Sequence, residues 1–505
     1  MEEKYSGREA DFKNSKYEND RSLKGRESVG KKSSRKNPDS KKTGRKNDGT
    51  GTTGMTVGRN TAGIARGNSD RNVDKYSAKN IGKVVGKDAG RNAGKNIGST
   101  AGKGKEGRGR TVLNSVDRRR ALSICPVFEK CGGCQLLHLP YDKQLELKKK
   151  RLEELLTGIC PVKQMIGMEN PYHYRNKVHA VFDHDKKGNP LSGVYQEGTH
   201  ILVPIESCMI EDEKADEIIG TIRGMLRSFK IKTYDEDTGY GFLRHVLVKR
   251  GFATGEIMVV LVTASPVFPS KNNFVKALRE KHPEITTIVQ NMNDRVTSMV
   301  LGDRENVLFG KGFIEDELCG YRFRISSKSF YQVNPVQAKI LYEKAIEMAK
   351  LTGRETVLDA YCGVGTIGMV ASKQAGQVIG VELNQDAVKD AVQNAKQNGI
   401  KNIQFYCNDA GRFITAMADR GEKVDVVLMD PPRSGSTKEF IDAVVAMGPG
   451  SVVYVSCGPE TLARDLRMFM GNGYRVVECV GVDMFGGTKH VETVILMTKC
   501  GFDKK

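Results

Sequence analysis

Cys457 closes the run Val452-Val453-Tyr454-Val455-Ser456-Cys457, and Gly458-Pro459 follow at once. β-Branched and aromatic residues bounded by turn formers predict a buried strand. A free cysteine ordinarily packs as a small hydrophobe, but a thiol at the tip of a strand can face a cleft. Carboxylates share that placement: Asp359 near the end of an apolar run over 356–361, Glu382 after 378–381, Asp409 after the strand containing Phe405, and Asp430 after 424–429. Runs of this kind alternate with helical stretches, which predicts a doubly wound α/β sheet. In such a sheet ligand and chemistry collect at the carboxyl ends of the strands. Cys457 is therefore read as a nucleophile.

The first of these strands runs into Cys362-Gly363-Val364-Gly365-Thr366 and then a helix. A strand, a glycine loop and a helix start suit a nucleotide-type ligand, because the backbone can approach it closely. Glu382 follows the glycines by about twenty residues, where an acid reaches ribose hydroxyls in such folds. For a methyl donor with an adenosine half, Glu382 takes the ribose and Asp409 or its neighbours the adenine; the methionine half lies over Asp359 and Gly363. In Asp430-Pro431-Pro432-Arg433 the residue after the prolines is arginine. Enzymes that methylate exocyclic amines place an aromatic ring there, so that chemistry is disfavoured. A cysteine nucleophile suits C5 of a pyrimidine, which becomes reactive once a thiolate adds at C6. A base must afterwards remove the C5 proton. Glu492, in His490-Val491-Glu492-Thr493 at the start of the last strand, is the candidate.

A second cluster precedes all of this. Cys125, Cys131 and Cys134 form C-x5-C-x2-C around Gly132-Gly133, ahead of a helix predicted over 141–156. Three thiols on one tight loop point to a metal, with Cys160 or Cys208 as fourth ligand. Four sulfur ligands suit zinc and iron–sulfur clusters alike.

The elements that must position these groups need more than one core, since the chain has 505 residues. Its net charge of +19 is concentrated at the start: residues 1–120 hold 31 Lys and Arg against 14 Asp and Glu. Residues 1–118 are rich in Gly, Lys, Arg, Asn and Ser. They read as a disordered basic arm that engages phosphates through counterion release. Order is expected from about Ala121. A β-rich central domain over 119–328 has strands at 178–182, 193–195, 245–249, 257–262 and 286–291, and a turn at 185–189. Its basic residues Arg175, Lys177, Arg244, Lys249 and Arg250 either line an RNA face or sit on ordinary exposed strands. The catalytic domain spans 329–505. No signal peptide is visible at the N-terminus and no apolar run reaches membrane-spanning length, so the expected location is cytoplasmic. Eleven cysteines in such a protein argue for thiol or metal chemistry over a disulfide framework.

Residues 330–497 resemble the RNA 5-methyluridine methyltransferases. The matching motifs are Phe330-Tyr331-Gln332-Val333-Asn334-Pro335, Asp359-Ala360-Tyr361-Cys362-Gly363-Val364-Gly365-Thr366, Asp430-Pro431-Pro432-Arg433, Val455-Ser456-Cys457-Gly458-Pro459 and His490-Val491-Glu492-Thr493. The resemblance implies a Rossmann-like methyltransferase fold and S-adenosylmethionine as donor, contacted by Gln332, Tyr361, Glu382 and Asp430. It implies Cys457 as nucleophile and Glu492 as base in methylation of uridine C5 in RNA. The cysteine loop is similar to that of the branch acting on 23S ribosomal RNA, whose members carry a [4Fe–4S] cluster. By that likeness Cys125, Cys131, Cys134 and Cys208 are the ligands and 23S ribosomal RNA is the partner; a monomer without membrane association is expected. The transfer-RNA branch typically lacks these cysteines. Many ribosomal members begin with a small β-barrel RNA-binding module, but nothing before Ala121 has the apolar strands for one. That departure leaves the target uridine open. The alternatives are a transfer-RNA uridine C5 methyltransferase and a non-catalytic RNA-binding iron–sulfur protein. Retention of both Cys457 and Glu492 argues against the second.

Overall fold

In the computed structural model, residues 114–295 and 299–501 are described. The basic arm lies outside them except for its last residues. Asn114 caps α1 (Ser115–Ile124), its side-chain oxygen accepting from the backbone N–H groups of Val116 and Asp117 at 3.0 and 2.8 Å. Regular structure thus begins a few residues before Ala121, because the cap supplies the start that the charged composition hid. After α2 (Phe128–Cys131) comes α3 (Tyr141–Leu155), close to its predicted span.

The central region contains β1 (Gln164–Ile166), β2 (Lys177–His184), β3 (Pro190–Tyr195), β4 (Leu202–Pro204), α4 (Glu213–Met225), β5 (Leu243–Arg250), β6 (Ile257–Thr263), α5 (Lys271–Lys281), β7 (Ile285–Met292), β8 (Arg304–Phe309), β9 (Phe313–Leu318) and β10 (Tyr321–Ser326). Seven of these strands form one sheet in the order β4-β3-β2-β5-β6-β7-β8. All its pairs are antiparallel except β6 with β7, which α5 connects as a crossover. Every strand expected here is present. The two helices were not expected, and they make the region α+β. Ile218 and Ile222 of α4 and Phe274 and Leu278 of α5 are buried in one core with Val246, Val259 and Leu261 of the sheet. The opposite sheet face, through Leu247, Met258 and Val260, joins the core of the hairpin β9–β10 and the catalytic region.

That region begins with α6 (Pro335–Ala349). It continues through β11 (Thr356–Ala360), α7 (Thr366–Ala371), β12 (Gln377–Glu382), α8 (Gln385–Gln397), β13 (Ile403–Cys407), α9 (Ala410–Asp419), β14 (Val426–Met429), α10 (Lys438–Met447), β15 (Ser451–Ser456), α11 (Pro459–Gly471), β16 (Tyr474–Val482) and β17 (Glu492–Lys499). The sheet order is β1-β16-β17-β15-β14-β11-β12-β13. The seven expected strands are all there, and the eighth is β1, which arrives from more than 300 residues upstream to pair with β16, Gln164 opposite Val480. Strands β11 to β15 run parallel to one another, whereas β17 runs antiparallel to both β15 and β16. An antiparallel strand begins at the edge where its parallel neighbours end. The start of β17 and the ends of β11 to β15 therefore share one rim. Among the described residues no helix is long and apolar enough to cross a membrane.

Candidate active site

The rim is organised first around the glycine loop. Asp359 is 1 % exposed, and its Oδ2 accepts the backbone N–H of Gly368 at 2.8 Å, tying β11 to α7. Burial, with Asp430 and Glu382 nearby, pushes its carboxyl up to about 8, against the Gly368 hydrogen bond. Tyr361 takes a positive φ of 63° to enter the loop, and its hydroxyl lies 3.1 Å from Ser436 Oγ. Burial raises this phenol to about 12. Glu382 closes the loop from β12: Oε2 accepts the Gly363 N–H at 3.1 Å and Oε1 the Asn384 N–H at 2.8 Å.

The glycines divide into two roles. At Gly363, φ is +55° and an added Cβ would meet nothing within 4 Å, so this backbone is open for a ligand to approach. At Gly365 an added Cβ would lie 2.7 Å from Phe405 Cζ, and Gly380 also lies under that ring. Those two glycines make room for Phe405, a packing role. Asp409, proposed for the adenine, stands at the end of β13 but spends Oδ1 on the N–H of Arg412 as the cap of α9.

The candidate nucleophile and the candidate base meet through strand register. Ser456 is the Cα partner of Thr493 on the antiparallel pair β15–β17, so the next residues, Cys457 and Glu492, stand side by side at the rim. Thr493 Oγ1 also donates to the Ser456 carbonyl at 3.2 Å. Cys457 is half-buried and Glu492 is 5 % exposed. The turn after Cys457 is held by Thr461 Oγ1, which reaches the carbonyls of Gly458 and Arg433 at 2.9 and 3.0 Å. Arg433 Nη2 lies 3.0 Å from His490 Nδ1, joining the Asp-Pro-Pro-Arg turn to the segment before Glu492. Burial raises Asp430 to about 7.

Tyr342 of α6 was not read as a site residue. Its phenol is buried and held well above its ordinary range by that burial; the charges of Asp430 and Glu492 add to this, while a hydrogen bond to Gln332 opposes it. One side chain thus bonds Gln332 and lies within electrostatic reach of Asp430 and Glu492. Its only signal in the sequence was a place on the apolar side of a helix.

The cysteine loop lies beside this rim. Burial, then the nearby Cys131, pushes the Cys125 thiol up. Cys208 is raised by burial, with Glu211, Cys134 and Asp216 adding to it. Cys131 thus lies within electrostatic reach of Cys125, and Cys134 within reach of Cys208. Among the described residues no group of three or more His, Cys, Asp or Glu side chains is close enough, as placed, to hold a metal. Cys160, the other candidate, is engaged elsewhere: a side-chain hydrogen bond with Cys479 lowers its thiol.

Two of the basic residues considered for an RNA face serve the fold instead. Arg244, 3 % exposed, donates to the carbonyls of Asn293 and Arg295 at 2.9 and 2.7 Å. Lys249, 5 % exposed, donates to those of Ser326 and Ser329 at 2.9 and 3.0 Å. Arg250 remains partly exposed, paired with Asp212 at 2.8 Å.

A family model described as tRNA (uracil-5-)-methyltransferase matches residues 140–500. A protein from Halalkalibacterium halodurans, named an uncharacterized RNA methyltransferase, is 41 % identical over 398 residues, covering 77 % of this chain and 86 % of its own. One of the same name from Clostridium tetani is 42 % identical over 385 residues, covering 75 % and 84 %. Among solved structures, the Pyrococcus abyssi tRNA (uracil-54, C5)-methyltransferase in complex with S-adenosyl-L-homocysteine superimposes with a TM-score of 0.62. It is 30 % identical and covers 72 % of this chain and 86 % of that one.

Proposed function

The chain belongs to the RNA uracil-5-methyltransferase family, and we propose that within it this protein methylates C5 of uridine in 23S ribosomal RNA, with Cys457 as nucleophile and Glu492 as base. The family's reaction is S-adenosylmethionine-dependent methylation of uridine C5 in RNA. The observation that carries the residue assignment is the register of β15 against β17, which sets Cys457 beside Glu492.

The Cys457 thiolate adds to C6 of the uracil, and the displaced π electrons pass to C5 and O4 as an enolate. C5 then attacks the sulfonium methyl; the new C5–CH3 bond forms as the S–CH3 bond breaks, releasing S-adenosylhomocysteine. Glu492 takes the C5 proton. The freed electron pair restores C5=C6, and the C6–S bond breaks to return the thiolate. In this reading Gln332, Tyr361, Glu382 and Asp430 hold the donor. The open backbone at Gly363 gives the donor its approach, and burial around Asp430 strengthens attraction for a sulfonium once that carboxyl ionises.

Cys125, Cys131, Cys134 and Cys208 are the residues that would hold a [4Fe–4S] cluster. The chemistry of the donor set supports this, since it is all sulfur and Cys160 is occupied by Cys479. Held by these four thiolates, such a cluster would cross-link the loop before α3 to the segment after β4. Because burial raises the Cys125 and Cys208 thiols, loading must expel protons. The cysteine loop favours ribosomal RNA as substrate. Transfer RNA is the second reading, supported by the substrate named for the Pyrococcus abyssi relative.

Labelled methyl donor and RNA test the chemistry. Cys457→Ala should abolish methylation and leave no adduct. Glu492→Gln should trap a methylated RNA–protein adduct that survives denaturing electrophoresis and vanishes in the double variant. An active Cys457→Ala enzyme overturns the mechanism. Mapping 5-methyluridine in ribosomal and transfer RNA of a deletion strain separates the two substrates.

A further inference from the structure

The segment that delivers Glu492 to the rim, residues 483–491 between β16 and β17, has no regular structure, so its backbone groups must find partners elsewhere. They find them largely in the cysteine loop and α3, more than 300 residues upstream. Gln135 and Leu136 donate their backbone N–H groups to the Gly487 carbonyl at 3.0 and 2.8 Å. Gln135 Oε1 accepts the Lys489 N–H at 3.2 Å, and Gln144 Oε1 accepts that of Gly487 at 2.8 Å. Lys148 is buried against Asp483 at 2.7 Å, with side chains 1 % and 0 % exposed, and also donates to the Phe485 carbonyl at 3.0 Å. Tyr141 donates to the other Asp483 oxygen at 2.9 Å.

These contacts exceed what packing the segment down requires. A buried ammonium–carboxylate pair contributes little net stability against an apolar substitute, but it admits few alternative geometries. Here each end of the pair is also bonded to backbone on one short segment. Asp483 Oδ1 receives both Lys148 and the N–H of Phe485, the latter at 3.0 Å. Gly487 leaves no slack on the other side: a Cβ there would lie 3.0 Å from Leu137 Cδ2. The segment is clamped at Asp483, Phe485, Gly487 and Lys489, and the next residues are His490, held to Arg433, and then Glu492.

We propose that Lys148, Gln135 and Gln144 are positioning residues for the Glu492 carboxylate, so that the upstream loop and α3 set the geometry of proton abstraction from C5. This rests on Glu492 being the base. Thiolate addition and methyl transfer use Cys457 and the donor site, which this clamp does not touch. Only the last step, transfer of the C5 proton to Glu492 with expulsion of the Cys457 thiolate, depends on it.

The test runs Lys148→Met, Gln135→Ala and Glu492→Gln side by side with labelled donor and RNA. Thermal stability and donor binding are measured on each protein. The two clamp variants should lower kcat roughly ten- to a hundredfold, the cost of misplacing a catalytic group by about 1 Å, with KM for RNA nearly unchanged. Both should accumulate the denaturant-resistant methylated adduct that Glu492→Gln traps. A purely structural role lowers the active fraction and slows every step equally, without adduct. If Glu492→Gln traps the adduct and neither clamp variant does, the clamp proposal is wrong. If Glu492→Gln turns over normally, the base assignment fails first and the clamp with it. Gln135 lies partly exposed on the loop, so its variant carries the test should Lys148→Met not fold.

Discussion

Replacing Gly380 by alanine tests whether the glycine loop, the proposed donor site, is supported by Phe405. Gly380 lies mid-strand in β12, with Asp359 and Phe405 as its Cα partners on either side. Its φ is not positive, so alanine adds bulk without backbone strain. The new methyl would fall 2.7 Å from Phe405 Cε1, closer still to Cδ1, and 3.1 Å from Cys362 Sγ. Carbon atoms pack at about 3.5–4.0 Å, so the ring or the strand must give by about 1 Å. Sliding β12 would break both ladders, which leaves the ring and Cys362 to move. Overpacking of this kind costs about 1–3 kcal/mol. Cys362 N–H is bonded to the Val381 carbonyl at 3.1 Å and leads directly into Gly363, so part of the strain reaches the glycine loop. If the loop bears about 1 kcal/mol, Kd for S-adenosylmethionine rises roughly fivefold. Calorimetric titration reads the Kd, and a thermal melt should show a lowered Tm. Phe405→Leu opens space under the same methyl and should recover part of both losses in the double variant, a non-additivity of about 0.5–3 kcal/mol. A Gly380→Ala protein with wild-type Tm and Kd would refute the account.

Two further outcomes are expected. Asp430 is raised to about 7 by burial, so it ionises as pH rises through neutrality; if it faces the sulfonium, donor affinity should grow roughly tenfold between pH 6 and 8 by proton linkage. Asp430→Asn should flatten that profile, and a flat wild-type profile measured by titration would remove Asp430 from the donor site. In anaerobically purified protein, iron analysis should find about four irons per chain, lost in Cys131→Ser and Cys208→Ser but kept in Cys160→Ser, whose thiol is turned to Cys479. Stoichiometric zinc without iron would sink the cluster.

Much of the catalytic sheet was readable from local signals. Most of its strands are short apolar runs stopped by Gly, Pro or a polar residue, and such punctuation acts within a few residues of itself. For that reason Asp359, Glu382, Asp430 and Cys457 could be placed at strand ends before any fold was known. The central strands were legible in the same way. Helix α4 was legible too but passed over: Asp212 caps it, accepting the Ala215 N–H at 3.0 Å, and Ile218, Ile222 and Met225 line its buried side. Arg244 and Lys249 misled, because a basic residue on a strand reads as solvent-facing until a neighbouring segment covers it.

By itself, then, the sequence determined which residues could do chemistry and that an alternating sheet would present them along one rim. Those properties depend on residue type and on spacing within single elements. Tertiary structure alone decided that β17 runs antiparallel and so brings Glu492 beside Cys457, and that Tyr342 bonds Gln332. It alone decided that Cys160 turns to Cys479, and that α3 and the loop before it grip the segment ahead of Glu492. Most are contacts between groups far apart in the chain. No local propensity encodes such a contact; it exists because burying apolar faces and satisfying the backbone of residues 483–491 leaves those groups adjacent.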